Sequence, residues 1–366
     1  MKILIAMDSF FDKLHSHHAN QYVYDGVKAA DSKANIVMIP LFESDKNMIE
    51  ALLVWEKGRK LKRHVSNNLL SPAIVEVAIL EHDVMLIDSK SVLKSNETPL
   101  NASSYGLGQL ITQGLDIGVK SFIISIGGSH TFDAGLGMLS AFGVKFYNRD
   151  YQLIDGPLKQ SDLKEVRHIE MADMDNRLKD VSFTIVSDHQ YKIFGKDSHI
   201  AQSQFDYETK QTIDNSIWYI AQQFKKCGID LSASLFGGDG GALRAVFEQI
   251  LNAETKTSAE VIFERTHIKQ LLDEADMVIY GGGSIDETTG SLVVNEINKL
   301  QNPEKINVYL MAGKQYKQMS NDKAVIEHNI YPEIHDDTEA IQIGIQLQST
   351  VKNILLATRK QDIEKA

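Results

Sequence analysis

The stretch "IGGSHTFDAGLGML", Ile126 to Leu139, sets two adjacent glycines after the apolar run "SFIIS" and follows them with Ser129, Thr131 and Asp133. Paired glycines let the chain turn sharply and let a ligand approach the main chain, whose N–H groups then attract anions. Gly127 and Gly128 therefore read as a candidate anion-binding turn, with a purely structural strand-turn-helix as the alternative. Ser129 reads as the cap of a helix starting there, and Ser129 and Thr131 as hydroxyl donors to the same anion. Other apolar runs close on Asp8 and Ser9, on Asp188, on Gly281 through Asp286, and on Gly313 with Lys314. Carboxylates, hydroxyls and lysines around a glycine turn are the groups needed to position an anion and move a proton.

The elements that must position these residues are apolar runs without strict alternation: "ILIAMDS", "NIVMIPL", "SFIISIGG", "FTIVSDH", "DMVIYGGG" and "NVYLMAG". Runs of this length fit strands covered on both faces, as in a parallel sheet. Helical patterns such as "SYGLGQLITQGLDIG" and "HIKQLLDEAD" lie between them, which predicts an α/β fold with helices on both sides of the sheet. Open α/β sheets bind ligands beyond the carboxyl ends of their strands. Asp8, Gly128, Gly281 and Gly313 are accordingly expected along one edge of one mainly parallel sheet. Residues 53–99 and 146–264 differ, with shorter strands and polar helices such as "DNSIWYIAQQFKK". They are assigned to a smaller inserted α/β domain, and residues 1–52, 100–145 and 265–366 to a Rossmann-like, mainly parallel sheet domain.

A chain of 366 residues exceeds the roughly 250–300 residues at which single cores stop growing, which favours two domains. Its formal charge of −11 argues against broad binding to nucleic acid or anionic lipid. The lone cysteine, Cys227, excludes an intramolecular disulfide and a multi-cysteine zinc site, and is expected to be a small buried residue. The N-terminus "MKILIAMDSF" reads as a first strand, and no run approaches the roughly 18 apolar residues of a membrane span; the expected compartment is the cytoplasm. The basic run "EKGRKLKRH", Glu56 to His64, reads as a solvated face or strand edge. G-x-x-x-x-G-K-[ST], G-x-G-x-x-G after a strand, H-E-x-x-H and G-x-S-x-G are all absent, which sets aside P-loop enzymes and classical dinucleotide dehydrogenases.

Five ordered motifs carry a resemblance. "DSF" at Asp8 matches the start of D-S-F-K-G, and "SYGLGQLI" at Ser104 matches T-Y-G-x-G-x-L-I. "GGSHTFDAGLGM" at Gly127 matches G-G-S-A-T-N-D-G-G-A-G-M. "GGDGGALR" echoes G-A-A-G-G-L-G-A, and "ADMVIYGGGSID" at Ala275 echoes A-D-L-V-I-T-G-E-G-R-L-D. The chain resembles the glycerate kinase family of bacterial ATP-dependent 2-hydroxy-acid kinases from Met1 to about Arg359.

The resemblance implies two α/β domains with the active site in a cleft between them, ATP with Mg²⁺ as phosphoryl donor, and glycerate or a similar hydroxy acid as acceptor. A homodimer stays open. It implies catalytic roles for Asp8, Asp188 and Asp286, and substrate or phosphate contacts for Ser9, Phe10, Gly127, Gly128, Ser129, Thr131, Gly281 and Gly283. Asp133 is the expected Mg²⁺ ligand. Departures from the pattern remove charge: Phe11 and Asp12 replace Lys and Gly, "ESDKNM" replaces D-G-G-E-G-T, "DHQYKI" replaces D-V-D-N-P-L, and Gly282 and Ser284 replace Glu and Arg. Two functions follow, a small-molecule kinase or a family member without that activity that binds a nucleotide or metabolite.

Overall fold

All six apolar runs form strands in a computed structural model of the chain, which describes residues 1–11, 13–94, 99–129, 131–283, 292–300, 305–312, 325–331 and 339–365. In chain order the strands are β1 (Lys2–Phe10), β2 (Asn35–Met38), β3 (Gly58–Ser66), β4 (Pro72–Leu80), β5 (Val84–Asp88), β6 (Ser121–Ser125) and β7 (Lys145–Tyr147). They continue with β8 (His168–Glu170), β9 (Ser182–Val186), β10 (Glu254–Lys256), β11 (Met277–Gly283), β12 (Ile306–Ala312) and β13 (Val325–Tyr331). The fold is α/β, with parallel pairing dominant, as the unbroken apolar runs require.

The chain divides into two compact units. The first comprises Met1–Glu43, Glu50–Trp55 and Ser258–Ala366. Its sheet has the order β13-β12-β11-β1-β2, parallel throughout. Strand β1 is buried from Ile3 to Phe10. The helices Ser16–Ala30 and Ala340–Lys365 pack together, and Val23, Val27, Leu347 and Val351 join Ile5, Met7, Ile279 and Leu310 in one core.

The second unit comprises Ser44–Ile49 and Glu56–Thr257. Its sheet runs β10-β9-β6-β5-β4-β3, parallel from β10 to β5 and antiparallel from β5 to β3, and β7 with β8 forms a separate antiparallel pair. Leu107, Leu110 and Ile111 of the helix Tyr105–Asp116 share a core with Phe122, Ile124, Ile217 and Phe247. The basic run forms the edge strand β3, where Arg59, Lys60 and Lys62 are exposed. Charge on an edge strand discourages pairing with another chain.

Four expectations need correction. Residues 100–145 lie in the second unit, because β6 pairs in register with β5 and β9, and that unit is the larger of the two. Asp8 and Gly281 occupy neighbouring strands of the five-stranded sheet while Gly128 follows β6 of the other, so no single sheet edge carries all of them; Gly313 lies outside the described residues. The helix expected at Ser129 starts at Leu136, after Ala134 and Gly135 in left-handed conformation. Cys227 is exposed, since it follows the last turn of the helix Tyr207–Lys226, which Gly228 at φ +82° terminates.

Candidate functional site

Three adjacent parallel strands of the second unit, β5, β6 and β9, end level with one another, with Asp88, Ser125 and Val186 in register. The turns leaving them carry Ser89 and Lys90, Gly127 and Gly128, and Asp188 and His189. Ligand sites of open α/β sheets form at this end, where loops and backbone dipoles gather.

Ser44 joins two of these turns. Its N–H donates to Asp188 Oδ2 at 2.7 Å, and its Oγ accepts the Asp188 N–H at 3.1 Å. Its carbonyl accepts from Ser125 Oγ at 2.5 Å and from the Gly127 N–H at 2.9 Å. A Cβ on Gly127 would lie 2.6 Å from the carbonyl carbon, carbonyl oxygen and Oγ of Ser44, so only glycine fits. Gly128, at φ +66°, is the part-exposed member of the pair. A Cβ there would meet the Lys90 stem at 3.2 Å and Asp45 Cβ at 3.3 Å. Lys90 Nζ lies 3.5 Å from Asp45 Oδ2, which sets a cation beside the turn.

Beyond β9 lies a second polar cluster. Asp239 is wholly buried in the glycine-rich loop. Its Oδ2 accepts from Ser187 Oγ at 2.7 Å and its Oδ1 from the Gly240 N–H at 2.9 Å. His189 Nδ1 faces the same Oδ2 at 3.5 Å. The His189 ring stacks on Tyr191 at 5.1 Å, and Tyr191 on His199 at 4.8 Å. Burial opposes the imidazolium of His189, yet Asp239, Asp188 and Asp45 outweigh it and raise its pKa. Burial likewise opposes the Asp239 carboxylate, and contacts with His189, His199 and Ser187 still hold it below the usual range.

Several predicted site residues make framework contacts. Asp133, expected to hold Mg²⁺, is wholly buried. Its Oδ2 accepts from the N–H and Oγ of Ser104 at 2.7 and 2.8 Å and from the Gly137 N–H at 3.0 Å, and its Oδ1 accepts from the Gly135 N–H at 3.1 Å. It therefore anchors the start of the helix Leu136–Ala141, the work expected of Ser129. Burial pushes its carboxyl up despite those donors. The hydroxyls of Ser129 and Thr131 point inward: Ser129 Oγ accepts the Thr131 N–H, and Thr131 Oγ1 donates to Leu93 O, each at 3.3 Å. A Cβ on Gly137 would come within 2.3 Å of Ser103 Oγ, and one on Gly108 within 2.7 Å of Met138 O. The motifs at Ser104 and Gly127 thus brace each other.

The first unit holds the other group. Asp8 is buried, and its Oδ1 accepts the Ser9 N–H at 2.6 Å and Ser9 Oγ at 3.3 Å. Phe10, expected at a phosphate, is fully buried in the apolar core and spends its N–H on Leu14 O. A Cβ on Gly281 would overlap Leu310 O on the neighbouring strand, so this glycine serves the sheet. Gly283 accepts the Phe11 N–H through its carbonyl. Asp286 and Ser284 lie outside the described residues.

Sequence reasoning missed Ser44, Asp45, Asp88, Lys90, His189 and Asp239. "VMLIDSK" carries the signal used elsewhere, an apolar run closed by Asp, but lay within residues set apart as an insertion. Asp239 stands between two pairs of glycines, a turn-rich setting legible in the sequence.

Against known proteins, the model of the glycerate kinase family matches residues 3–357. A glycerate kinase of Halalkalibacterium halodurans is 27% identical over 97% of this chain and 98% of its own. A glycerate kinase of Bacillus cereus is 27% identical over 79% of this chain and 78% of its own. A crystal structure of glycerate kinase 2 from Salmonella typhimurium LT2 superposes with a TM-score of 0.84 over 99% of both chains at 22% identity, which shows the shared fold. The chain belongs to the glycerate kinase family.

Proposed function

We propose that this chain transfers the γ-phosphoryl group of ATP to the hydroxyl of glycerate or a related small 2-hydroxy acid. The observation that carries the reading is the Gly127–Gly128 turn, held by Ser44 beside Lys90 and Asp188 at the ends of three parallel strands. Among the described residues no acceptor pairs with the Gly128 N–H, which suits it to a phosphate oxygen. Lys90 is outnumbered by Asp45, Asp88 and Asp188, so a phosphate chain fits this edge with a divalent cation between it and the acids. Mg²⁺ is bound in that manner, through substrate phosphates, waters and one or two carboxylates. Asp45 and Asp188 are the residues that would hold it, and it would offset charge on the transferred group. No three acidic, histidine or cysteine side chains converge into a closed cage among the described residues, in keeping with an ion that arrives with its nucleotide. Asp8 and Asp286 enter on the resemblance alone. No helix among the described residues is long and apolar enough to cross a membrane, and the reading assigns the reaction to the cytoplasm.

A second reading is a family member that binds a nucleotide or metabolite without transferring phosphate. Phe11, buried where the family pattern carries Lys, favours it, because a cation is gone. The two readings part in one experiment, a coupled ADP-release assay with MgATP over a panel of 2-hydroxy acids, run beside calorimetric titration of the nucleotide. Transfer to glycerate or another member of the panel supports the kinase; nucleotide binding without transfer supports the second reading.

A further inference from the structure

We propose that the second unit carries a binding site for a small amphipathic monocarboxylate at the amino ends of β9 and β10, the ends opposite the turn that holds Asp188. The site is a cavity of about 530 Å³, within the roughly 300–1,000 Å³ of small-molecule sites. Its position follows from the sheet. β10 begins at Glu254, which pairs with Thr184, so Ser182 and Phe183 of β9 have no strand beside them on that side. The chain between the helix Leu243–Ile250 and β10 turns at Asn252, held at φ +52°, a left-handed conformation that asparagine tolerates. The short helix Asn176–Asp180 supplies another wall.

The lining is apolar inside and polar at the rim. Leu178, Phe183 and Leu251 are buried, and Met174, Val181 and Ile250 pack against the same core. Lys179, Ser182, Asn252 and Glu254 line the cavity from exposed positions. Two donors here lack an acid. Among the described residues Lys179 Nζ makes one hydrogen bond, to Asn176 Oδ1 at 3.2 Å, and no ion pair, whereas Glu254 is met by Lys256 at 3.1 Å. The Ser182 N–H bonds Lys120 O at 3.0 Å on the β6 side, and the alternation of a strand turns the next N–H, that of Phe183, to the other side. Among the described residues no acceptor takes it. An unpaired N–H on a buried residue is costly, and a ligand oxygen removes the cost.

These groups select the class of ligand. A lysine without an acid and a spare N–H call for an anionic acceptor, and a carboxylate has an oxygen for each. One cation matches one negative charge, and Glu254 at the rim opposes a second. The apolar side chains inside call for an apolar body, which gains by leaving water. Glycerate carries a polar group on every carbon and leaves that wall unmatched, so this is not a second place for the proposed acceptor. The site lies on the strand whose far end leads into Asp188, yet it takes a ligand of different chemistry from anything the Gly128 turn would hold.

The test needs no turnover and is independent of the kinase reading. The full chain, labelled at its Ile, Leu, Val and Met methyl groups, is titrated with 4-phenylbutyrate and in parallel with the amide of that acid, and followed by NMR. Expected are saturable shifts at Met174, Leu178, Val181 and Ile250, with a dissociation constant for the acid on the order of 0.1–1 mM. The amide should bind about tenfold more weakly, since it loses the charged hydrogen bond. Lys179→Met should bring the acid down to the affinity of the amide and leave the amide where it was. Val181→Trp, which fills the cavity from a part-exposed position, should abolish the shifts at the other three residues. Equal affinity of the wild type for acid and amide overturns the proposal, as does unchanged binding of the acid by Lys179→Met. Shifts confined to other parts of the chain, or none that saturate below about 10 mM, overturn the site itself. If Val181→Trp does not fold, the acid and amide titrations of the wild type and Lys179→Met still decide.

Discussion

Ser44 and Asp188 hydrogen-bond each other twice, N–H to Oδ2 at 2.7 Å and Oγ from N–H at 3.1 Å, across 144 positions of sequence. The carbonyl of the same serine takes the Gly127 N–H. One short side chain thereby fixes the carboxylate on the turn after β9 relative to the glycine turn after β6. Ser44→Ala keeps the backbone contacts and removes the acceptor of the Asp188 N–H. Expected is a stability loss of about 1 kcal/mol in denaturant unfolding together with a lower kcat, since a loosened Asp188 would no longer hold the Mg²⁺ of the nucleotide at one place.

The two glycines should respond differently. At Gly127 a methyl group meets the carbonyl group and Oγ of Ser44 at 2.6 Å, the carbonyl pinned by two hydrogen bonds and Oγ by one. At Gly128 it meets the flexible Lys90 stem, and the cost is the left-handed φ of +66°, about 1–2 kcal/mol for a residue with a Cβ. Gly127→Ala is expected to be the more destabilised variant in urea melts and to lose activity outright. Gly128→Ala should fold and bind MgATP more weakly. The reverse order of stabilities would mean that Ser44 yields and is not the fixed point described.

Asp133→Asn separates a framework acid from a metal ligand. An amide must turn its NH₂ toward either the Gly135 N–H or the donors of Ser104 and Gly137, so donors face donors whichever way it is rotated. The expected loss is about 1–3 kcal/mol of stability, read by denaturant unfolding without nucleotide or Mg²⁺. Unchanged stability with a selective loss of Mg²⁺-dependent binding would return Asp133 to the role its sequence position suggested.

The difference between the role that the sequence position of Asp133 suggests and the contacts it makes is physical. The strand runs were legible because parallel strands must be apolar on both faces, and every one of the six became a strand. The glycines were legible too, but a glycine required by a ligand and one required by a neighbouring carbonyl look alike in sequence. Gly281 against Leu310 and Gly106 against Ser66 are of the second kind, and Gly137 is held instead by the Ser103 hydroxyl. Ser129 and Thr131 had the right type and spacing for a phosphate loop, and only the structure shows that both are buried, with the Ser129 hydroxyl bonded within the turn and the Thr131 hydroxyl to Leu93 O. Asp239 and His189, 50 positions apart, become a pair only through the packing of two loops.

The same pair predicts a window of stability. His189 has a raised pKa, so its contribution is fully present below the ordinary histidine value of about 6.5 and is lost as pH rises through the raised one. Asp239 has a lowered pKa, so its contribution is present above the ordinary value of about 3.9 and is lost as pH falls through the lowered one. The ion pair therefore stabilises the fold most between about pH 4 and 6.5. The stability difference between wild type and His189→Gln is expected to be larger at pH 5.5 than at pH 8.5 in matched urea titrations. An equal difference at both would mean that the ring contributes through stacking on Tyr191 and not through charge.

Lys90 is the cation beside the glycine turn, and its removal should touch ligand and fold unequally. Its pairing with Asp45 is loose, at 3.5 Å with side chains 23% and 32% exposed, and such pairs contribute only about 0–1 kcal/mol. Lys90→Met keeps most of the stem that packs near Gly128, so unfolding free energy should change by less than about 1 kcal/mol. A phosphate oxygen losing a charged hydrogen-bond donor loses about 1.5–3 kcal/mol, so MgATP should bind about 10–150-fold more weakly. Its affinity should also depend less steeply on salt, because one fewer charge is engaged. If Lys90→Met binds MgATP as the wild type does, the phosphate does not sit at the Gly128 turn. The acids Asp45, Asp88 and Asp188 would then need another partner, and the kinase reading of this strand edge would lose its anion site.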